Sequence, residues 1–168
     1  MSLVPDYIFE TFDQVTVDFL NKLNIKGLIL DIDNTLEPYE NPVPGERVLS
    51  WFSSLREAGI SFSVVSNNNK ERVSIFLNGI DIPWYAKGKK PFSKNLLKAM
   101  KRMNTDRAST AFIGDQILTD VWAARNAKIT AILVSPINDK RDWFTRLKRC
   151  IEKPIVRRYY AKRNENEN

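Results

Sequence analysis

The sequence predicts an α/β fold, a three-layer, doubly wound parallel sheet with helices on both faces. Three observations carry the prediction. From residue 27 onward, short apolar runs alternate with segments of helical periodicity. The first run, Gly27-Leu28-Ile29-Leu30, holds no charge, as a strand buried on both faces should. Polar and acidic residues follow the strands, where open α/β sheets bind ligands.

The elements follow in order. Gly27 to Asp31 reads as a strand. Pro44-Gly45 opens a helix through Val48, Leu49, Phe52 and Leu55, which Gly59 caps. Ile60 to Val65 is the next strand. Asn69 caps a helix through Val73, Phe76 and Leu77 that stops at Gly79. Ile82 to Tyr85 is a short extended piece. Ser93 caps a helix with Leu96, Leu97, Met100 and Met103 on one face. Thr110 to Ile113 is a strand, 116–126 a helix, and Thr130 to Val134 a strand. The core is therefore expected over 27–138. Residues 1–26 are expected to be an extension packed on it, and 139–160 a basic helical segment that includes an amphipathic helix from Trp143 to Arg149. Residues 161–168 read as a disordered tail.

Length and composition narrow the function. A chain of 168 residues suits one domain with a sizeable core, and 43% hydrophobic with 27% charged residues is ordinary for a globular protein. No apolar run approaches the 18 or so residues of a membrane span. The N-terminus lacks a basic segment followed by an apolar core, so no signal peptide is expected. The single Cys150 excludes an intramolecular disulfide and fits a reducing, cytoplasmic location. There is no histidine, which excludes phosphohistidine phosphatases, Ser-His-Asp hydrolases and His-ligated zinc. A Cys-x5-Arg phosphatase loop is also excluded, because Arg157 lies one position too far from Cys150. The net charge of +6 arises at the C-terminus. Residues 1–139 balance 16 basic against 16 acidic side chains, whereas 140–163 carry 10 basic residues against Asp142 and Glu152.

The segment Leu30-Asp31-Ile32-Asp33-Asn34-Thr35-Leu36 is the most informative in the chain. Strand alternation would place Asp31 and Asp33 on one side, converging on a point. Two anions held together repel unless a cation lies between them, and a hard divalent ion, Mg2+, suits carboxylates. A carboxylate beside such an ion can also attack phosphorus. The competing reading is an Asx-turn after a strand. If the strands lie parallel, their ends also gather Ser66 with Asn67, Asp115 with Asp120, and Lys90 ahead of a helix. Three acids, a hydroxyl and a lysine around one cation make a phosphoryl-transfer site.

This set resembles the phosphatase branch of the haloacid dehalogenase (HAD) superfamily, over roughly residues 27–135. Asp31-Ile32-Asp33-Asn34-Thr35 matches its first motif, DxDxT. Ser66 matches the second, Lys90 the third, and Gly114-Asp115 with Asp120 the acidic fourth, in its wider spacing. The resemblance implies a HAD-like, Rossmann-type core and an aspartyl-phosphate route. Asp31 would be the nucleophile. Asp33 would be the acid that protonates the leaving oxygen and the base that then activates water. Mg2+ would be held by Asp31, the backbone carbonyl of Asp33, and Asp115. Ser66 and Lys90 would hold the phosphoryl oxygens. Lys87 and Lys89 compete with Lys90, which is preferred because it directly precedes Pro91. Asp120 stands either as a metal ligand or as a group orienting Lys90. Asn34, Thr35 and Asn67 are expected to shape the loops.

The gaps from Leu36 to Ser61 and from Asn68 to Lys89 leave no room for a cap domain. Within the superfamily the chain resembles the capless, subclass IIIA, YqeG-like branch, on GLILDIDNTL at 27–36, SNNN at 66–69, and Pro5, Asp6 and Tyr7. That branch is similar to phosphatidylglycerophosphate phosphatases, which implies a phosphorylated lipid headgroup as substrate. Lys140, Arg141, Arg146, Lys148, Arg149, Lys153, Arg157 and Arg158 interleave with Trp143, Phe144, Tyr159 and Tyr160. This stretch can meet an anionic membrane surface, contact nucleic acid, or be a solvated helix capping the sheet. The alternatives are therefore a phosphatase acting on a nucleic-acid end, an RNA-associated protein, and a non-catalytic scaffold that keeps the fold.

Overall fold

The computed structural model describes residues 3–138 and 153–161. Six strands form one sheet: β1 (Tyr7–Phe9), β2 (Gly27–Leu30), β3 (Ser61–Val65), β4 (Trp84–Tyr85), β5 (Thr110–Gly114) and β6 (Thr130–Val134). Their order is β1-β6-β5-β2-β3-β4, and every neighbouring pair is parallel. From β2 the chain winds outward through β3 to β4. It then returns to the other side of β2 and winds outward through β5 and β6. The junction of β2 and β5 is thus the topological switch point, beyond whose carboxyl ends ligands bind.

Helices α1 (Val17–Lys22), α2 (Glu46–Glu57), α3 (Lys70–Phe76), α4 (Lys94–Met103) and α5 (Trp122–Ala127) cover the sheet. The strands show why two covers are needed. Leu28, Leu30, Ala111, Ile113, Ile132 and Val134 point into a core with Leu20 of α1, Phe52 of α2 and Phe76 of α3. Their neighbours Ile29, Phe112, Ala131 and Leu133 point into a second core with α4 and α5. Period-two alternation with both phases apolar leaves a sheet no wet face. Leu96, Ala99, Met100 and Met103 recur along α4 at helical spacing and are all buried. The result is the three-layer α/β fold that the alternating pattern predicts.

The ends of the chain join this frame. Tyr7–Phe9 is not beside the sheet but in it, as the edge strand paired with Ile132 to Val134. Asp6 secures it, with Oδ2 accepting from the Ala131 amide at 2.8 Å and both oxygens accepting from Arg125. Residues 153–161 are helical, and Ile155 and Val156 pack on the α4–α5 side. The amphipathic helix expected from Trp143 to Arg149, Cys150 and the tail beyond residue 161 lie outside the described residues. Among the described residues no helix is long and apolar enough to cross a membrane.

Candidate active site

Asp31 is the first residue past β2, and its amide still donates to Ile113 O of β5 at 3.0 Å. Its carboxylate therefore stays fixed at the switch point. The chain then leaves the sheet. The amides of Thr35 and Leu36 turn back onto Ile32 O, and Asn34 adopts a left-handed φ of 63°. Strand alternation stops here, and the Asp33 carboxylate is not one of the three that converge. Its Oδ1 accepts from Arg72 Nε at 3.1 Å and Nη2 at 3.0 Å, and its Oδ2 accepts from Asn68 Nδ2 at 3.1 Å.

The carboxylates that converge are Asp31, Asp115 and Asp120. All three are buried, with one oxygen from each lying within 4.8 Å of the others. Asp115 follows β5 directly, and its Oδ1 accepts from Thr35 Oγ1 at 3.2 Å. Asp120 is brought back by a π-helical turn over Ile117–Val121 that precedes α5, where a regular helix over 116–126 is predicted. In that wide turn Asp120 Oδ2 accepts from the Gln116 amide at 3.0 Å. Such turns are frequent at functional sites. Gly114 permits the fold-back, because a Cβ there would lie 2.4 Å from the Asp120 carboxyl carbon.

Lys90 closes the cluster. Its Nζ lies 2.8 Å from Asp31 Oδ1, 2.8 Å from Asp120 Oδ1, and 5.4 Å from the centre of the Phe112 ring. Lys87 and Lys89 are exposed. The approach is set by backbone. The Gly88 amide donates to Ser66 O at 2.8 Å, and a Cβ on Gly88 would press on Val65 and on that same carbonyl. Asn67 clamps Lys90 itself, its Oδ1 accepting from the Lys90 amide at 2.8 Å and its Nδ2 donating to Lys90 O at 3.3 Å. Ser66 is buried at the end of β3, with Oγ accepting from the Asn68 amide at 3.1 Å. Sequence reasoning missed Arg72 and Asn68. A basic residue in the first turn of a helix opposes the helix dipole, but Lys70 shares that turn with Arg72, so the sequence does not single Arg72 out.

Burial pushes the Asp31 carboxyl up to about 7; Lys90 opposes the shift, and Asp120 and Asp33 reinforce it. Burial alone would depress the Lys90 ammonium, but Asp120 and Asp31 outweigh it and push it up. One ammonium thus pairs with two of three clustered buried carboxylates, a surplus of negative charge in a low dielectric. A hard divalent cation fits this all-oxygen donor set.

The titration carries a prediction. The native state holds the Asp31 proton more tightly than the unfolded chain. Its contribution to stability is therefore present at acid pH and is lost as pH rises through about 7. A divalent cation binds the ionised form. Mg2+ is thus expected to raise the melting temperature markedly at about pH 8.5 and little at about pH 5, as scanning calorimetry can read. Equal stabilisation at both would separate cation binding from Asp31.

Comparison with known proteins places the fold. The profile of the family described as haloacid dehalogenase-like hydrolase matches residues 6–134. The chain is 35% identical over 153 residues to the probable phosphatase YqeG of Bacillus subtilis, across 91% of this chain and 89% of that one. A HAD-superfamily hydrolase from Ehrlichia chaffeensis superposes with a TM-score of 0.55 at 16% identity, over 77% of this chain and 97% of that one. The cobalt-bound deoxy-D-mannose-octulosonate 8-phosphate phosphatase of Haemophilus influenzae does so with a TM-score of 0.51 at 18% identity, over 78% and 89%. At those identities the two structures speak to the fold.

Proposed function

The chain belongs to the haloacid dehalogenase-like hydrolases and is a phosphatase of that type, and from that premise we propose that it is a Mg2+-dependent phosphomonoesterase working through an aspartyl-phosphate on Asp31. The observation that carries the reading is the single buried point where Asp31, Asp115 and Asp120 meet the Lys90 ammonium.

Each residue then has a task. An Asp31 oxygen attacks phosphorus in line, forming the O–P bond as the bond to the leaving oxygen breaks. Asp33, in the form that carries a proton, would give it to that leaving oxygen. It then takes one from the water that attacks the phosphoryl group, which releases phosphate and restores Asp31. Lys90 and Ser66 hold the phosphoryl oxygens, and the preset Lys90 geometry needs no reorganisation as charge develops. Asn67 and Asp120 orient Lys90. Asp31, Asp115 and the Asp33 carbonyl would hold Mg2+, which when bound would supply charge neutralisation at the phosphoryl oxygens.

The substrate reading is phosphatidylglycerophosphate. It rests on the resemblance of the first two motifs to the YqeG-like branch, and on two further features. Between β2 and β3 the chain forms one loop and α2, and between β3 and α4 it forms α3 and a two-residue strand, so bulky substrates can enter. The basic residues past 139 suit an anionic surface. A phosphate-release screen with Mg2+ tests the reading across phosphatidylglycerophosphate, 5′- and 3′-phosphorylated oligonucleotides and small sugar phosphates. The lipid is expected to be the best substrate. Release from none of them defeats the phosphatase reading, and release from oligonucleotides alone moves the substrate to nucleic-acid ends.

A further inference from the structure

We propose that Arg72 is a specificity-determining residue that selects phosphate monoesters whose leaving group carries an anion of its own. The inference rests on the phosphatase reading above and names the substrate class of that site.

The first ground is position. Asp33 is the group placed to protonate the leaving oxygen, and the Arg72 guanidinium is bonded to its carboxylate at 3.0 and 3.1 Å. A leaving group that reaches Asp33 therefore comes within reach of Arg72. The pair lies at the outer edge of the site. Arg72 and Asp33 side chains are 11% and 12% exposed, whereas Lys90 and Asp120 are 2% each. Lys90 is committed to Asp31 and Asp120, whereas Arg72 lies beside Asp33, the more exposed carboxylate.

The second ground is preorganisation. Arg72 is held by further contacts to the loop before α2 and within α3. Nη1 donates to Pro42 O at 3.0 Å, the guanidinium lies 5.8 Å from the Tyr39 ring centre, and it lies 5.5 Å from that of Phe76 within α3. The contacts to Asp33 and Pro42 use three of the five guanidinium hydrogens, leaving one on each terminal nitrogen. A fixed fork with donors to spare suits a carboxylate or a phosphodiester.

The third ground is local cost. Arg72 sits in the first turn of α3, three residues after the Asn69 cap, where the dipole disfavours a cation. Departures from a local rule are expected at functional positions.

The test compares kcat/KM on three soluble substrates with Mg2+. They are sn-glycerol 3-phosphate with a neutral leaving group, its near-isostere 3-phosphoglycerate with a carboxylate, and glycerophosphoglycerol phosphate with a phosphodiester. The native enzyme is expected to prefer one or both anionic substrates by about 10- to 100-fold, and the preferred arm identifies the anion. Arg72→Gln should bring the ratio to within about threefold of unity, while Arg72→Lys, which keeps the charge but not the fork, should fall between. If Arg72→Gln does not fold, the Arg72→Lys ratio decides. Three results overturn the proposal: a native ratio near unity, a ratio unchanged by substitution, or an equal loss of kcat on all three substrates. In each of these the phosphatase reading survives, because phosphate is still released. Release by the native enzyme from none of the three, nor from an aryl phosphate, removes both.

Discussion

Replacing Asp31 with Asn is expected to lower Mg2+-dependent phosphate release by at least about 10⁴-fold while leaving the fold close to native stability. The kinetic half follows from the absence of a substitute. An amide oxygen cannot form the acyl-phosphate bond, and removing a nucleophile from a covalent mechanism typically costs several decades. Four decades correspond to about 5.4 kcal/mol of transition-state stabilisation, far more than one lost hydrogen bond. The stability half follows from two opposed changes. Asparagine removes a carboxylate whose ionised form burial penalises, and it weakens one partner of the Lys90 ammonium, which keeps Asp120. These effects are each of order 1–3 kcal/mol and opposite in sign, so the net shift is expected to be small. Phosphate release and a melting curve in chelator, measured on the same preparation, separate them. Native activity in the variant would exclude Asp31 as the nucleophile. Loss of activity together with loss of fold would show that the carboxylate is structural.

Much of the frame is legible in sequence because its causes are local. Four uncharged residues suffice to mark β2, and both neighbours it acquires are strands of the same kind. Asn69 accepts from the Arg72 amide as an N-cap should, and Gly59 takes a left-handed φ of 71° after α2. Ser93 precedes α4 as expected but makes no side-chain cap bond. The placement of Asp31, Lys90, Asp115 and Asp120 at one point is legible for a different reason. Parallel topology forces consecutive strand ends to the same side, so residues just past each strand must gather there.

What sequence does not reveal depends on distant or fine geometry. Three residues, Tyr7–Phe9, become the edge strand because Ile132 to Val134 lie open beside them, and nothing within the tripeptide signals it. After the turn over Ile32 to Glu37, Asp33 pairs with Arg72, a residue of a distant helix that the local sequence does not announce. The π-helical turn at Ile117–Val121 has the same apolar residues as a regular helix. Only the closeness of Asp120 to Gly114 distinguishes the two, and that is a matter of ångströms.

Lys90→Met should separate the two roles of the buried ammonium. Methionine nearly fills the same space, so little cavity forms, but three buried carboxylates lose the cation that faces two of them. Breaking a buried ion pair by removing one partner costs about 3–5 kcal/mol, and a loss of that size is expected near neutral pH without a divalent cation. The loss should shrink as pH falls. Burial already raises the Asp31 carboxyl, and Lys90 is the group that holds it down, so the variant binds a proton there at still higher pH and removes the uncompensated charge. Mg2+ should act in the same direction as acid, restoring much of the melting temperature at neutral pH by occupying the acidic cluster. Activity should not return with it. An ammonium aimed at the phosphoryl oxygens is worth about 10²- to 10³-fold in kcat, and a metal on the opposite carboxylates does not replace it. The decisive comparison is therefore melting temperature and kcat on one sample at saturating Mg2+. Stability recovered with kcat still depressed assigns Lys90 to the transition state. Recovery of both would reduce Lys90 to a counter-ion for Asp31 and Asp120.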